Sequence, residues 1–70
     1  MKGPVQNTVY DMRAKHGLTQ EELASRVHVS RQTIISIEKG NYTPSVQLAL
    51  ELARVFRVPV EKLFTLTHAT

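Results

Sequence analysis

Apolar residues recur at helical spacing in five short stretches, and turn-forming residues punctuate the chain between them. In the first stretch Val9 and Met12, with His16 following, share a face; Asn7 or Thr8 is placed to cap it and Gly17 to end it. Thr19-Gln20-Glu21-Glu22 then matches the capping box, with Thr19 as N-cap and Glu22 reaching back from the third helical position. Leu23, Ala24 and Val27 form the buried face of this second helix. Ser30 caps a third helix, which turns Ile34 and Ile37 inward and closes at Gly40. Beyond the loop Asn41-Tyr42-Thr43-Pro44, Ser45 caps a fourth helix running to about Phe56. On that helix Gln47, Glu51 and Arg54 occupy one narrow stripe, whereas Val46, Leu48, Ala49, Leu50, Leu52, Ala53, Val55 and Phe56 cover almost everything else. Apolar over most of its circumference, it is predicted to be the most buried helix. Pro59 opens a last short helix holding Val60, Leu63 and Phe64.

The pattern therefore predicts an all-α domain of five helices over residues 1–70, without repeats, low-complexity tracts or linkers. The end of the chain leaves two outcomes open. Phe64-Thr65-Leu66-Thr67 alternates apolar and polar and is rich in β-formers, so the tail (65–70) either forms a short strand, paired with Val5-Gln6, or frays.

Seventy residues make one small core, whose burial only just outweighs the chain entropy. The absence of cysteine excludes disulfides, thiol catalysis and cysteine-based zinc sites. His16, His28 and His68 are not at metal-ligand spacing, so no metal is expected. No nucleophile–base arrangement or glycine-rich phosphate loop is visible, and neither an enzyme nor a cofactor is expected. The start, Met1-Lys2-Gly3-Pro4-Val5-Gln6-Asn7, turns polar before an apolar run could form a signal peptide. No apolar stretch approaches the ~20 residues that span a bilayer. A cytoplasmic protein with no membrane partner is the expectation.

A net charge of +3 and a pI near 9.7 are compatible with a nucleic-acid partner, but the charge is not where a simple count would put it. Residues 20–39 carry Arg26, Arg31 and Lys39 against Glu21, Glu22 and Glu38, so this segment is formally neutral. Arrangement must then matter more than total. The segment holds two short helices joined at His28-Val29, with small Ala24 permitting close approach and Val27, Val29, Ile34 and Ile37 filling the angle between them. At ~100° per residue, Ile34 and Ile37 define the inward arc of the third helix. Arg31, Gln32, Ile35, Ser36 and Lys39 share the opposite arc. These are side chains that read bases in a major groove: a bidentate arginine, an amide, a hydroxyl and a methyl-bearing chain suited to thymine. An ordinary solvated face is the alternative, and Ile35 weighs against it, since such a face gains nothing from an isoleucine at its centre. The wheel alone leaves the two readings level.

Gly17-Leu18-Thr19-Gln20-Glu21-Glu22-Leu23-Ala24, Val29-Ser30-Arg31-Gln32-Thr33-Ile34, Ile37-Glu38-Lys39-Gly40 and Tyr42-Thr43-Pro44-Ser45 together closely resemble the lambda-repressor/Cro-like (XRE) helix-turn-helix family. The likeness continues through Leu48-Ala49-Leu50 to Val60-Glu61-Lys62-Leu63-Phe64, so it covers nearly the whole chain. It implies a five-helix lambda-repressor-like domain of the minimal, single-domain type, which binds double-stranded DNA at a palindromic operator as a homodimeric transcription factor. A repressor is expected, although operator position decides between repressor and activator. Carried over by position, the resemblance implies that Gln20 bonds a phosphate with help from the N-terminal amides of its helix. Arg31, Gln32 and Ser36 would face base edges with Ile35 beside them. Ser30, Thr33, Lys39, Asn41 and Tyr42 would lie near the backbone. Arg13 and Glu38 match a pair that forms an internal salt bridge in the family. Glu38 lies about 40° from Ile34 on the wheel and borders the core, where a charge needs a partner; two separately solvated charges are the alternative.

Two positions depart from the family pattern, His28 in the turn and Arg57 after the fourth helix, where glycine is usual. Histidine is among the residues that tolerate left-handed backbone, so His28 reads as a tolerated turn residue. Val58, Val60, Leu63, Phe64 and Leu66 crowd the last dozen residues. Surplus apolar surface there suggests a two-fold dimer interface; the alternative is that these residues close the core of one chain. Two related functions share the fold and stay open: an antitoxin, which would also bind a protein partner, and a restriction–modification controller protein.

Overall fold

Most of the helices begin and end where a specific backbone group finds a partner. A computed structural model describes residues 5–67 and gives α1 (Val9–Lys15), α2 (Gln20–Arg26), α3 (Arg31–Glu38), α4 (Val46–Phe56) and α5 (Val60–Leu63). His68 and the end of the 65–70 tail lie outside the described residues. Thr19, Ser30 and Ser45 each accept a hydrogen bond from the amide three residues on, satisfying an otherwise unpaired donor at the start of α2, α3 and α4. At α1 the cap differs: the Asn7 side chain accepts from Val9 N at 3.1 Å, whereas the Thr8 hydroxyl donates to the Lys62 carbonyl.

Four helices close with the same motif. After α1, the amides of Gly17 and Leu18 donate back to Ala14 and Arg13. The same pair of bonds recurs from His28 and Val29 to Ser25 and Ala24, from Gly40 and Asn41 to Ile37 and Ser36, and from Arg57 and Val58 to Arg54 and Ala53. This is the Schellman arrangement, which requires left-handed backbone at the first donor. Gly17 and Gly40 supply it at φ 68° and 80°; His28 and Arg57 adopt it at 61° and 58° despite their Cβ atoms. In three of the four, the second donor is apolar (Leu18, Val29, Val58) and packs against the core, as the motif's accompanying hydrophobic contact requires.

The core is Val9, Leu23, Ala24, Val27, Ile34, Ile37, Leu48, Leu52, Ala53, Phe56 and Leu63, so every helix contributes. Each large member contributes about 1.5–3 kcal/mol relative to exposure. The fourth helix supplies four of the eleven core residues, more than any other, as its apolar circumference predicts, but that circumference is not covered all round. Leu48, Leu52, Ala53 and Phe56 are buried, but Val46 and Leu50 are 77% and 53% exposed. The short helices packed against it leave its outer flank uncovered, so an apolar residue there stays in water.

The chain ends resolve the open question as a strand pair. β1 (Val5–Asn7) and β2 (Phe64–Leu66) run antiparallel, with Val5 opposite Leu66 and Asn7 opposite Phe64. Phe64, read from its spacing as part of the last helix, instead begins β2, because α5 stops at Leu63. A ribbon this small is marginal alone. Here Thr8 N donates to Leu63 O at 3.0 Å, and Asn7 Nδ2 reaches the carbonyl of Ile37 at 2.9 Å. That second bond fastens the ribbon to the last turn of α3.

Candidate nucleic-acid interface

The geometry of the α2–α3 pair follows from its ends and its filling. At the start of α2, Thr19 Oγ1 accepts from Glu22 N at 3.0 Å and the Glu22 carboxylate accepts from Thr19 N at 2.8 Å. The Thr19 backbone N–H, followed by its side chain, holds the Glu22 carboxyl below the usual carboxylate range. At the other end the left-handed backbone at His28 ends α2 and, two residues on, Ser30 caps α3. Leu23, Ala24 and Val27 of the first limb meet Ile34 and Ile37 of the second inside the core. With both isoleucines committed inward, the opposite face of α3 is directed away from the protein.

That outer face carries the residues selected from the sequence. Ser30, Arg31, Gln32 and Lys39 are exposed, and Thr33, Ile35 and Ser36 are half-buried. Ser30, Gln32, Thr33, Ser36, Asn41 and Tyr42 line one shallow depression between α3 and the following loop. Gln20 and Arg31 line a second together with Arg13, Thr19 and Glu21. Thus eight of the ten predicted positions border two depressions that both open on α3, while Ile35 and Lys39 lie on the same helix face and its end. Ser30 and Thr33 are not free hydroxyls: their oxygens are 3.0 Å apart, and Ser30 Oγ also caps the helix through Thr33 N. Arg31 and Lys39 make no ion pair among the described residues, which leaves both cations available to an anionic partner.

Beneath this face lies a polar node. Arg13 Nε donates to Glu38 Oε2 at 2.7 Å and Nη2 to Oε1 at 3.2 Å, with the two side chains 13% and 7% exposed. Arg13 Nη1 donates to the carbonyl of Leu18 at 3.0 Å, and the Tyr10 ring lies 5.2 Å from Cζ, within cation–π range. The hydrogen bond to Glu38 raises the Arg13 pKa above its ordinary value, against a smaller opposing effect of burial. A third donor also reaches Glu38: Gln20 Nε2 donates to Oε1 at 3.1 Å. Gln20, assigned to a phosphate from the family pattern, therefore has one amide N–H already engaged. Residues 20 and 38 share no helical spacing, so nothing in the sequence announces this bond. The Tyr10–Arg13 pair, three apart on one helix, was open to detection from spacing alone.

The last dozen residues divide between core and surface. Leu63, named above for a dimer interface, is 1% exposed and completes the core of the single chain, so it cannot contact a second copy. A one-turn helix has a single inward position, and Leu63 takes it. Val58, Val60 and Phe64 are half-buried against the core, while Leu66 is 73% exposed.

A helix-turn-helix family model matches residues 9–63. An HTH-type transcriptional regulator of Archaeoglobus fulgidus is 54% identical over 56 residues, covering 80% of each chain. One of Methanocaldococcus jannaschii is 52% identical over 60 residues, covering 86% of this chain and 91% of its own. Among solved structures, the restriction-modification controller protein C.AhdI of Aeromonas hydrophila superposes with a TM-score of 0.72 at 26% identity, covering 77% of this chain and 82% of its own.

Proposed function

The chain belongs to the XRE-type helix-turn-helix family of DNA-binding transcriptional regulators, and from that premise we propose that it is a repressor that reads a palindromic operator as a homodimer in the cytoplasm. The observation that carries the reading is the outer face of α3, where exposed Arg31 and Gln32 and half-buried Ile35 and Ser36 lie opposite an inner face locked into the core. An eight-residue helix is about 12 Å long and fits a major groove about 12 Å wide. In this reading Arg31, Gln32, Ile35 and Ser36 read base edges. Gln20, Ser30, Thr33, Lys39, Asn41 and Tyr42 flank them at the phosphates and set register.

One such helix covers only a few base pairs, and two related by a dyad read adjacent turns about 34–36 Å apart. Exposed Leu66 and the half-buried Val58, Val60 and Phe64 supply apolar surface at one end of the chain for a two-fold contact. Selection from a random-duplex library followed by salt-dependent titration tests the whole reading. A palindrome with half-sites about one turn apart is expected; only salt-sensitive, sequence-blind binding would overturn it. Sedimentation of Leu66→Asp beside the wild type tests the contact, with a shift towards monomer expected.

The C.AhdI likeness favours one narrower reading, a controller protein of a restriction–modification system. An operator lying upstream of a methyltransferase–endonuclease gene pair would select it.

A further inference from the structure

We propose that Glu38 is a positioning residue for DNA binding: its carboxylate holds the Gln20 amide so that the remaining Gln20 N–H faces the DNA backbone. This rests on the reading of α2's first turn as a phosphate contact. An ionised carboxylate only accepts hydrogen bonds, so the Gln20 group turned towards Glu38 is the NH2 and not the carbonyl. The amide is planar, and fixing one N–H fixes the direction of the other. Gln20 is half-buried, and its outer edge borders the depression that it shares with Thr19, Arg13 and Arg31. Without Glu38, a glutamine at the head of a helix samples several rotamers and loses that freedom on binding.

Glu38 serves this role without repelling DNA because Arg13 is bound to the same carboxylate through two N–H groups. Arg13 is held in turn by the Leu18 carbonyl and by the Tyr10 ring. Glu38 is also the last residue of α3, so the bond to Gln20 ties the end of the recognition helix to the start of α2. The side chain that contacts phosphate and the helix that reads bases are thereby set in one frame.

A double-mutant cycle on DNA affinity tests this, with Gln20→Ala, the near-isosteric Glu38→Gln and the pair titrated on the selected operator at matched folded fraction. Gln20→Ala is expected to weaken binding about tenfold per half-site, the worth of one hydrogen bond to a charged group. Glu38→Gln is expected to weaken it severalfold in the wild type and less than about twofold once Gln20 is alanine, because the two act through one contact. A purely structural Glu38 would lower affinity equally in both backgrounds, and that result overturns the proposal while leaving the phosphate contact standing. No effect from Gln20→Ala would remove the contact and the proposal with it. Should Glu38→Gln fold poorly, the side-chain amide protons of wild-type Gln20 give an independent answer. One is expected to exchange with solvent more slowly than those of exposed Gln6 and Gln32; two fast protons would overturn the proposal.

Discussion

Replacing Arg13 by methionine would test whether the polar node beneath the recognition face is a stability element or an incidental surface pair. The substitution keeps the stem of the side chain and removes the guanidinium. Glu38, only 7% exposed on its side chain, would then retain a single donor, the Gln20 amide at 3.1 Å. Breaking a buried pair from one side costs about 3–5 kcal/mol, because a charge is left without its partner. At roughly 0.05–0.15 kcal/mol per residue, seventy residues hold about 3.5–10 kcal/mol in all. The single change should therefore remove roughly three tenths or more of the folding free energy. For a domain of this size it should lower Tm by at least about 12 °C, at ~4–8 °C per kcal/mol. Urea titrations of Arg13→Met, Glu38→Leu and the double variant form the assay. The double variant should recover much of the loss, since an apolar pair of similar volume is often neutral relative to a buried ion pair. Two single variants that each cost under ~1 kcal/mol, with no recovery in the pair, would show that the bridge behaves as an exposed one and refute the argument.

Three further outcomes follow from particular residues. Arg31→Ala is expected to weaken operator binding by ~1–3 kcal/mol and relax the preference at one base position, as read by titration against single-base operator variants. Arg57→Gly should stabilise the chain by about 1 kcal/mol in urea denaturation, because it relieves left-handed backbone at φ 58° away from the reading face. The Glu22 pKa lies below its unfolded value, so its ionised form adds stability that is full above the unfolded pKa and is lost as pH falls through the folded one. The stability gap between wild type and Glu22→Gln should hold steady above about pH 4.3 and close below it; a gap unchanged down to strong acid would contradict the capping-box assignment.

The helices were legible because their determinants are local. Thr19, Ser30 and Ser45 cap through the amide three residues on, and that relation is written in the spacing of adjacent residues. The helix closings were partly legible. Gly17 and Gly40 announce a left-handed turn by residue type, whereas His28 and Arg57 adopt the same conformation with a Cβ, each followed by a valine packed against the core. Non-local relations stayed hidden. Nothing in the order of residues says that Leu63 rather than Phe64 ends α5 and faces the core, or that Leu50 faces water. Both depend on how many neighbours surround a helix, which is a property of the assembled chain. The strand pair had a sequence signal in Phe64-Thr65-Leu66, but its ordering depends on Thr8 and Asn7, whose bonds run to Leu63 and Ile37 across the fold.

The neutral charge count of residues 20–39 also changes meaning in three dimensions. Glu38 is turned inward and matched by Arg13, a residue outside the segment, so its charge is not presented to solvent in the way the count assumes. Glu22 is bound to the backbone of Thr19, which fixes its carboxylate at the head of α2. With Arg13 included, four cations (Arg13, Arg26, Arg31, Lys39) stand against three carboxylates, and one of those carboxylates is internal. Arg31 and Lys39 at the two ends of α3 are then the uncompensated charges nearest the reading face. The helix thus carries a cation at each end and amide, hydroxyl and methyl groups between them. In the proposed reading Lys39 would add affinity without sequence at one end of α3, while Arg31 at the other end would discriminate together with Gln32, Ile35 and Ser36. The formal neutrality of the segment is therefore no argument against DNA; it reflects a carboxylate spent on holding the two helices together.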